Sequence, residues 1–198
     1  YKLTFMLENN IIISTKVKEK NERNVSDQII QIAKENNGVV TTADITERGI
    51  LRGNIKTLLN SGKLERTARG VYILPEIWED EFVNLQARFR KGIFSNETAL
   101  FLLDLTDRTP NRFDMTFPAT YNLTNVKKEQ IIALTVKKEW YEEGILQVRS
   151  PGENNIKVYN MERTLCDILR KRSGVDAGII VEACKRYAEM HDIEALCV

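Results

Sequence analysis

The chain has 198 residues, 42% of them hydrophobic, enough to build one domain or two small ones around real cores. No stretch approaches the roughly 20 apolar residues of a membrane span. The three cysteines, Cys166, Cys184 and Cys197, are widely spaced and form no CxxC, which excludes a disulfide framework or zinc knuckle and fits reduced thiols in a cytoplasmic protein. The formal net charge of +1 hides a split: 12 Lys and Arg against 8 Asp and Glu up to Pro75, then 17 against 20 from Glu76 onward. A basic module joined to a mildly acidic one suits nucleic acid at one end only.

Residues 1–24 read as an N-terminal extension. They hold a short apolar run, Ile11-Ile12-Ile13, that suits a docking segment, followed by an exposed polar stretch from Lys16. A first helix is predicted from about Val25 to Asn36, with Ser26 as N-cap and Ile29, Ile32 and Ala33 on one face. Gly38 stops it, because glycine takes left-handed C-cap angles cheaply. Val39-Val40 is a short strand. Thr41 or Thr42 then caps a brief helix, Ala43 to Glu47, and Gly49 makes the turn. The next helix, about Leu51 to Ser61, is the candidate recognition helix. Leu51, Ile55, Leu58 and Leu59 are expected to face inward, and Arg52, Asn54, Lys56, Thr57 and Asn60 to cover the outer surface. Arg and Lys reach guanine edges or phosphates, and Asn pairs with adenine. Gly53 is expected to allow a close backbone approach. Leu64-Glu65-Arg66 and Val71-Tyr72-Ile73 alternate as hairpin strands around Thr67-Ala68-Arg69-Gly70, with Arg66 and Arg69 at the tip. Helix, strand, helix, helix, hairpin is the order of a winged helix-turn-helix over residues 25–75. Such a module serves either a DNA groove or protein contacts alone. The basic and amide residues of the third helix, with arginines at the wing, favour DNA.

From residue 76 to 198 a mixed α/β domain with a small sheet is expected. A helix from about Glu79 to Arg90, carrying Trp78, Phe82, Leu85 and Phe89, either links the two domains or opens the second. Ser95 caps a buried helix, Asn96 to Leu103. Strands are predicted at Phe113–Phe117, Gln130–Val136, Ile145–Val148 and Ile156–Tyr159. A helix from Met161 to Lys171 buries Leu165, Ile168 and Leu169, and a last helix from Ala177 to Met190 has Ile180, Val181, Cys184 and Tyr187 in its stripe. Little in this half suggests chemistry. His191 is the lone histidine, no metal-ligand spacing or glycine-rich phosphate loop occurs, and Cys166 reads as a core thiol. No catalytic, cofactor or metal residues are assigned. Arg163 and Asp167 form an i,i+4 pair that is either structural or meets a partner.

Several blocks together carry a family resemblance. Gly38-Val39-Val40-Thr41-Thr42-Ala43-Asp44, the wing Gly62-Lys63-Leu64-Glu65-Arg66-Thr67-Ala68-Arg69-Gly70-Val71-Tyr72, the run Phe94-Ser95-Asn96-Glu97-Thr98-Ala99-Leu100 and the block Met161-Glu162-Arg163-Thr164-Leu165-Cys166-Asp167 resemble the AbiEi-type antitoxins in the same order. The resemblance implies a bacterial abortive-infection (phage-resistance) operon and a type IV antitoxin. Such an antitoxin counters a nucleotidyltransferase-like toxin without a stable complex. It represses its own promoter by binding double-stranded inverted repeats, as a monomer or weak dimer loading cooperatively. Arg52, Lys56, Arg66 and Arg69 then become DNA contacts, with Asn54, Thr57 and Asn60 beside them. Leu51-Arg52-Gly53-Asn54 departs from the family's usual polar residues, which leaves the operator sequence open. A ligand-responsive regulator with a sensor domain is the alternative, and an enzyme is the third choice.

Overall fold

A computed structural model describes residues 25–170 and 174–191. The extension 1–24, the end of the helix expected to reach Lys171, and Cys197 lie outside the described residues. The described chain falls into two compact units that divide between Arg88 and Phe89.

In the first unit, helix α1 covers residues 25–35, with Ser26 inside it rather than capping it. Ile29, Ile32 and Ala33 are buried on one face. Asn37 and Gly38 both take positive φ, and the Gly38 amide returns to the Ala33 carbonyl at 2.8 Å, which closes the helix. A Cβ on Gly38 would sit 2.2 Å from the Ile77 side chain, so the position needs glycine on two counts. Strand β1 (Val39–Thr41) leads into α2 (Thr42–Glu47) through a complete capping box. The Thr41 side chain accepts from the Asp44 amide at 3.2 Å, and the Asp44 carboxylate accepts from the Thr41 amide at 2.8 Å. Helix α3 (Asn54–Asn60) follows, then β2 (Glu65–Ala68) and β3 (Val71–Ile73). The three strands form an antiparallel sheet in the order β1-β3-β2, with a bulge between Arg66 and Ala68. Ile45, Ile55, Leu58, Leu64 and Tyr72 close the core under α1. This is a winged helix-turn-helix.

Helix α4 (Glu81–Arg88) is capped by Asp80, whose carboxylate accepts from the amides of Phe82 and Val83. It packs Val83 and Ala87 against Val39, Val71 and Ile73 of the three-stranded sheet. Thr67 donates to Asn84 at 2.9 Å, tying β2 to the same helix. Trp78 precedes the helix and is 93% exposed, not part of its apolar face.

The second unit is a mixed α/β domain. Its five-stranded sheet runs β6-β5-β4-β8-β7, with β4 (Ile93–Phe94), β5 (Phe113–Pro118), β6 (Ile131–Val136), β7 (Ile145–Arg149) and β8 (Asn155–Tyr159). The β5–β6 and β4–β8 pairs are parallel, and the other two are antiparallel. Helices α5 (Asn96–Leu102), α6 (Lys138–Tyr141), α7 (Met161–Ile168) and α8 (Ala177–Met190) complete it. Phe94, Met115, Phe117, Val158 and Tyr159 are fully buried.

Several sequence expectations change here. Ser95 is the N-cap residue of α5, as expected, but its hydroxyl accepts from Thr116 at 2.9 Å and makes no capping bond. Helix α7 ends before Leu169, leaving that side chain exposed. On α8 the buried stripe is Ile179, Ala183 and Tyr187: Tyr187 is buried as expected, Ile180 and Cys184 flank the stripe half-buried, and Val181 faces out. Cys166 is exposed, not a core thiol.

Candidate nucleic-acid interface

The turn before α3 is longer than its apolar pattern suggests. Leu51, Arg52 and Gly53 are not helical, because the chain leaves α2 through a left-handed Gly49 and the Ile50 amide bonds back to Ile45. Leu51 is therefore 78% exposed instead of facing the core. No atom comes within 4 Å of a Cβ placed on Gly53, so that glycine serves no close approach within the chain. The Arg52 side chain bridges back to the Thr46 hydroxyl at 3.2 Å, and Asn54 donates to the Leu51 carbonyl at 2.9 Å. These two bonds fix the turn that sets the angle of α3.

Ile55 and Leu58 anchor α3 in the core. Lys56, Thr57 and Asn60 share its exposed surface. Among the described residues, none of these three side chains has a hydrogen-bond or ion-pair partner. The wing is short. Strand β2 runs through Thr67 and Ala68, and only Arg69 and Gly70 make the turn. Gly70 has φ +80°, its carbonyl accepts from the Thr42 amide at 2.9 Å, and a Cβ there would meet the Thr42 hydroxyl at 2.8 Å. The wing is thus seated on the start of α2. Arg69 projects from it exposed and without a partner among the described residues, while Arg66 curls back onto the Ala68 carbonyl at 3.2 Å.

Charge concentrates on this part of the unit. Residues 50–75 carry Arg52, Lys56, Lys63, Arg66 and Arg69 against Glu65 alone. Lys63, exposed between α3 and β2, belongs to the same basic set, although nothing but its charge marks it in the sequence. Arg48 does not, because it pairs with Glu35 at 3.1 Å. Gln31 and Arg48 together hold that carboxyl below its usual range.

Residues 27–75 match the family described as "Transcriptional regulator, AbiEi antitoxin". The winged module is an AbiEi-type antitoxin domain. As an AbiEi domain it is a regulatory module rather than a catalytic one. No curated protein matches the chain. Among solved structures, the RV2827C protein from Mycobacterium tuberculosis is similar at 19% identity and a TM-score of 0.45, over 71% of this chain. The chain spans 58% of that protein's length. No described helix is long and apolar enough to cross a membrane.

The remaining candidates lie in the second unit. Arg163 and Asp167 do meet, but not as a surface pair. The guanidinium donates from Nε to Asp167 at 2.7 Å and from Nη1 to the Trp140 carbonyl at 2.6 Å. Arg163 is only 9% exposed. Glu162 accepts from the Tyr187 hydroxyl at 3.1 Å, joining α7 to α8, and Asn160 caps α7 through the Arg163 amide. His191 caps the end of α8 and stacks on Tyr187.

Proposed function

We propose that this protein is a type IV antitoxin that represses its own operon through the AbiEi domain and counters a nucleotidyltransferase-like toxin without holding it in a stable complex. The observation that carries the first half is the set of uncommitted side chains on α3, Lys56, Thr57 and Asn60, beside a wing whose Arg69 is equally free among the described residues. Basic side chains at a wing meet phosphate and set the register, and polar side chains on a groove helix read base edges. Arg52 and Arg66 are contacts of the first kind, and Asn54 is of the second. Each is engaged in a single hydrogen bond to an uncharged acceptor, the Thr46 hydroxyl, the Leu51 carbonyl or the Ala68 carbonyl, and a phosphate oxygen is the stronger acceptor for the two guanidiniums. One module offers few base contacts, so cooperative loading of two copies on inverted repeats follows. Toxin counteraction is assigned to the second unit, leaving the AbiEi domain to the promoter.

A reporter driven by the operon's own upstream DNA tests the reading. Combined Lys56→Ala, Thr57→Ala and Asn60→Ala exchange on an exposed face leaves the fold intact, releases repression, and leaves toxin counteraction in a growth assay unchanged. Full repression by the folded triple variant contradicts it.

A further inference from the structure

The second unit contains a cavity of about 390 Å³ between α6, the start of β7 and α7, and it lies wholly outside the DNA-facing module. Its walls include Trp140, Glu143, Glu162, Arg163, Cys166 and Arg170. Three features separate it from an ordinary surface hollow. First, the Nη2 of the buried Arg163 has no hydrogen-bond partner among the described residues, although Nε and Nη1 are both engaged. Leaving a buried donor unsatisfied is costly, and more so for a charged group, so such an atom calls for a reason. Second, the Arg170 guanidinium stands 5.1 Å from the centre of the Trp140 ring and 3.6 Å from Asp167, so a second cation is held at the same rim. Third, Trp140 remains 49% exposed, although the backbone around it is pinned: its carbonyl accepts from Arg163 and the neighbouring Tyr141 carbonyl accepts from Tyr159.

We infer that this cavity binds a nucleoside monophosphate unit. The half of the indole left exposed beside the Arg170 guanidinium offers a surface for a planar base, and base–aromatic stacking tolerates any base. Two guanidiniums suit one phosphate, and an oxygen entering past the wall that Arg163 forms supplies the acceptor that Nη2 lacks. Glu143 and Glu162 are acceptors for base amino groups or ribose hydroxyls, and their charge opposes a triphosphate. The volume is near the lower end for ligand pockets, which suits one nucleotide and not several. The same chemistry comes from a free nucleotide or from the terminal nucleotide of a strand.

Cys166 lines the cavity and is exposed, so it reports occupancy. In full-length protein carrying Cys184→Ser and Cys197→Ser, alkylation of Cys166 is followed with free AMP or UMP, with a short 5′-phosphorylated oligonucleotide, and with inorganic phosphate. Saturable protection at or below about 1 mM is expected from the nucleotides or the oligonucleotide, and whichever acts at lower concentration identifies the source. Arg170→Ala is expected to weaken protection about tenfold, and Trp140→Leu to abolish the advantage of nucleotide over phosphate. Protection by phosphate equal to that by nucleotides overturns the inference. So does an absence of protection in folded protein, or protection indifferent to both substitutions.

Discussion

Leu51 and Leu58 are chemically identical and seven positions apart, and the fold gives them opposite surroundings. Leu58 is 1% exposed in the core beneath α1, whereas Leu51 is 78% exposed in the turn. Leu58→Ala removes buried methyl groups and leaves a cavity, so urea unfolding is expected to show a loss of about 2–5 kcal/mol. Leu51→Ala is expected to fall within about 0.5 kcal/mol of the parent. A large loss at Leu51 would place it back in the core. Asp114 makes a second prediction at this scale. Burial, reinforced by Glu97, raises its carboxyl to about 7, against the opposing effects of Asn96, Arg112 and the Thr98 contact. A buried acid with a raised pKa binds its proton more tightly in the folded than in the unfolded chain. The second unit therefore loses stability as pH rises from about 4 to about 7, by on the order of 4 kcal/mol, and levels off above that. Asp114→Asn flattens that part of the pH–stability curve, and an unchanged slope argues against the assignment. Neither residue's setting was readable from the sequence. Leu51 fits the helical spacing of Ile55 and Leu58, and only the Gly49 turn takes it out of phase. Asp114 is one polar position in an alternating strand.

Elements whose ends carry local chemistry were the legible ones. Gly38 and the Thr41 capping box mark their boundaries in short-range hydrogen bonds, so the sequence locates them within a residue. Thr41→Ala is expected to cost about 1 kcal/mol in thermal or urea unfolding, with Asp44 unable to compensate once the hydroxyl is gone. The phase of α8 and the end of α7 were less legible. Their apolar residues allow two adjacent stripes, and the choice depends on packing against distant elements. Arg163 shows the same limit: its spacing from Asp167 is visible, but its burial depends on Trp140 and Tyr159, which come from other elements. At the wing, the seat of Gly70 on Thr42 holds Arg69 outward. Arg69→Ala is expected to weaken binding to every duplex about equally and to lower the salt slope by about 1. An unchanged slope removes Arg69 from the phosphate contacts.

Across the whole molecule, charge follows the surface rather than the units. Residues 1–88 hold 13 basic and 12 acidic side chains, because Glu76, Glu79, Asp80 and Glu81 offset the basic α3 and wing. The apparent basic half thus reflects a count that stops at Pro75, and the local cluster between Arg52 and Arg69 carries the electrostatic case. The same helix decides which fragment stands alone. A fragment of residues 1–88 keeps α4 over Val39, Val71 and Ile73, whereas one ending at Pro75 exposes that face. The longer fragment is expected to melt cooperatively and at the higher temperature, and equal melting would mean that α4 contributes nothing. The proposed role of α3 and the wing is to bind promoter DNA. Affinity measured across a salt series for the full chain, on its upstream inverted repeats and on a scrambled duplex, tests it most directly. Affinity is expected to fall steeply with salt on both duplexes, with a preference for the inverted repeats that survives as salt rises. Equal, weak binding to both at low salt contradicts it.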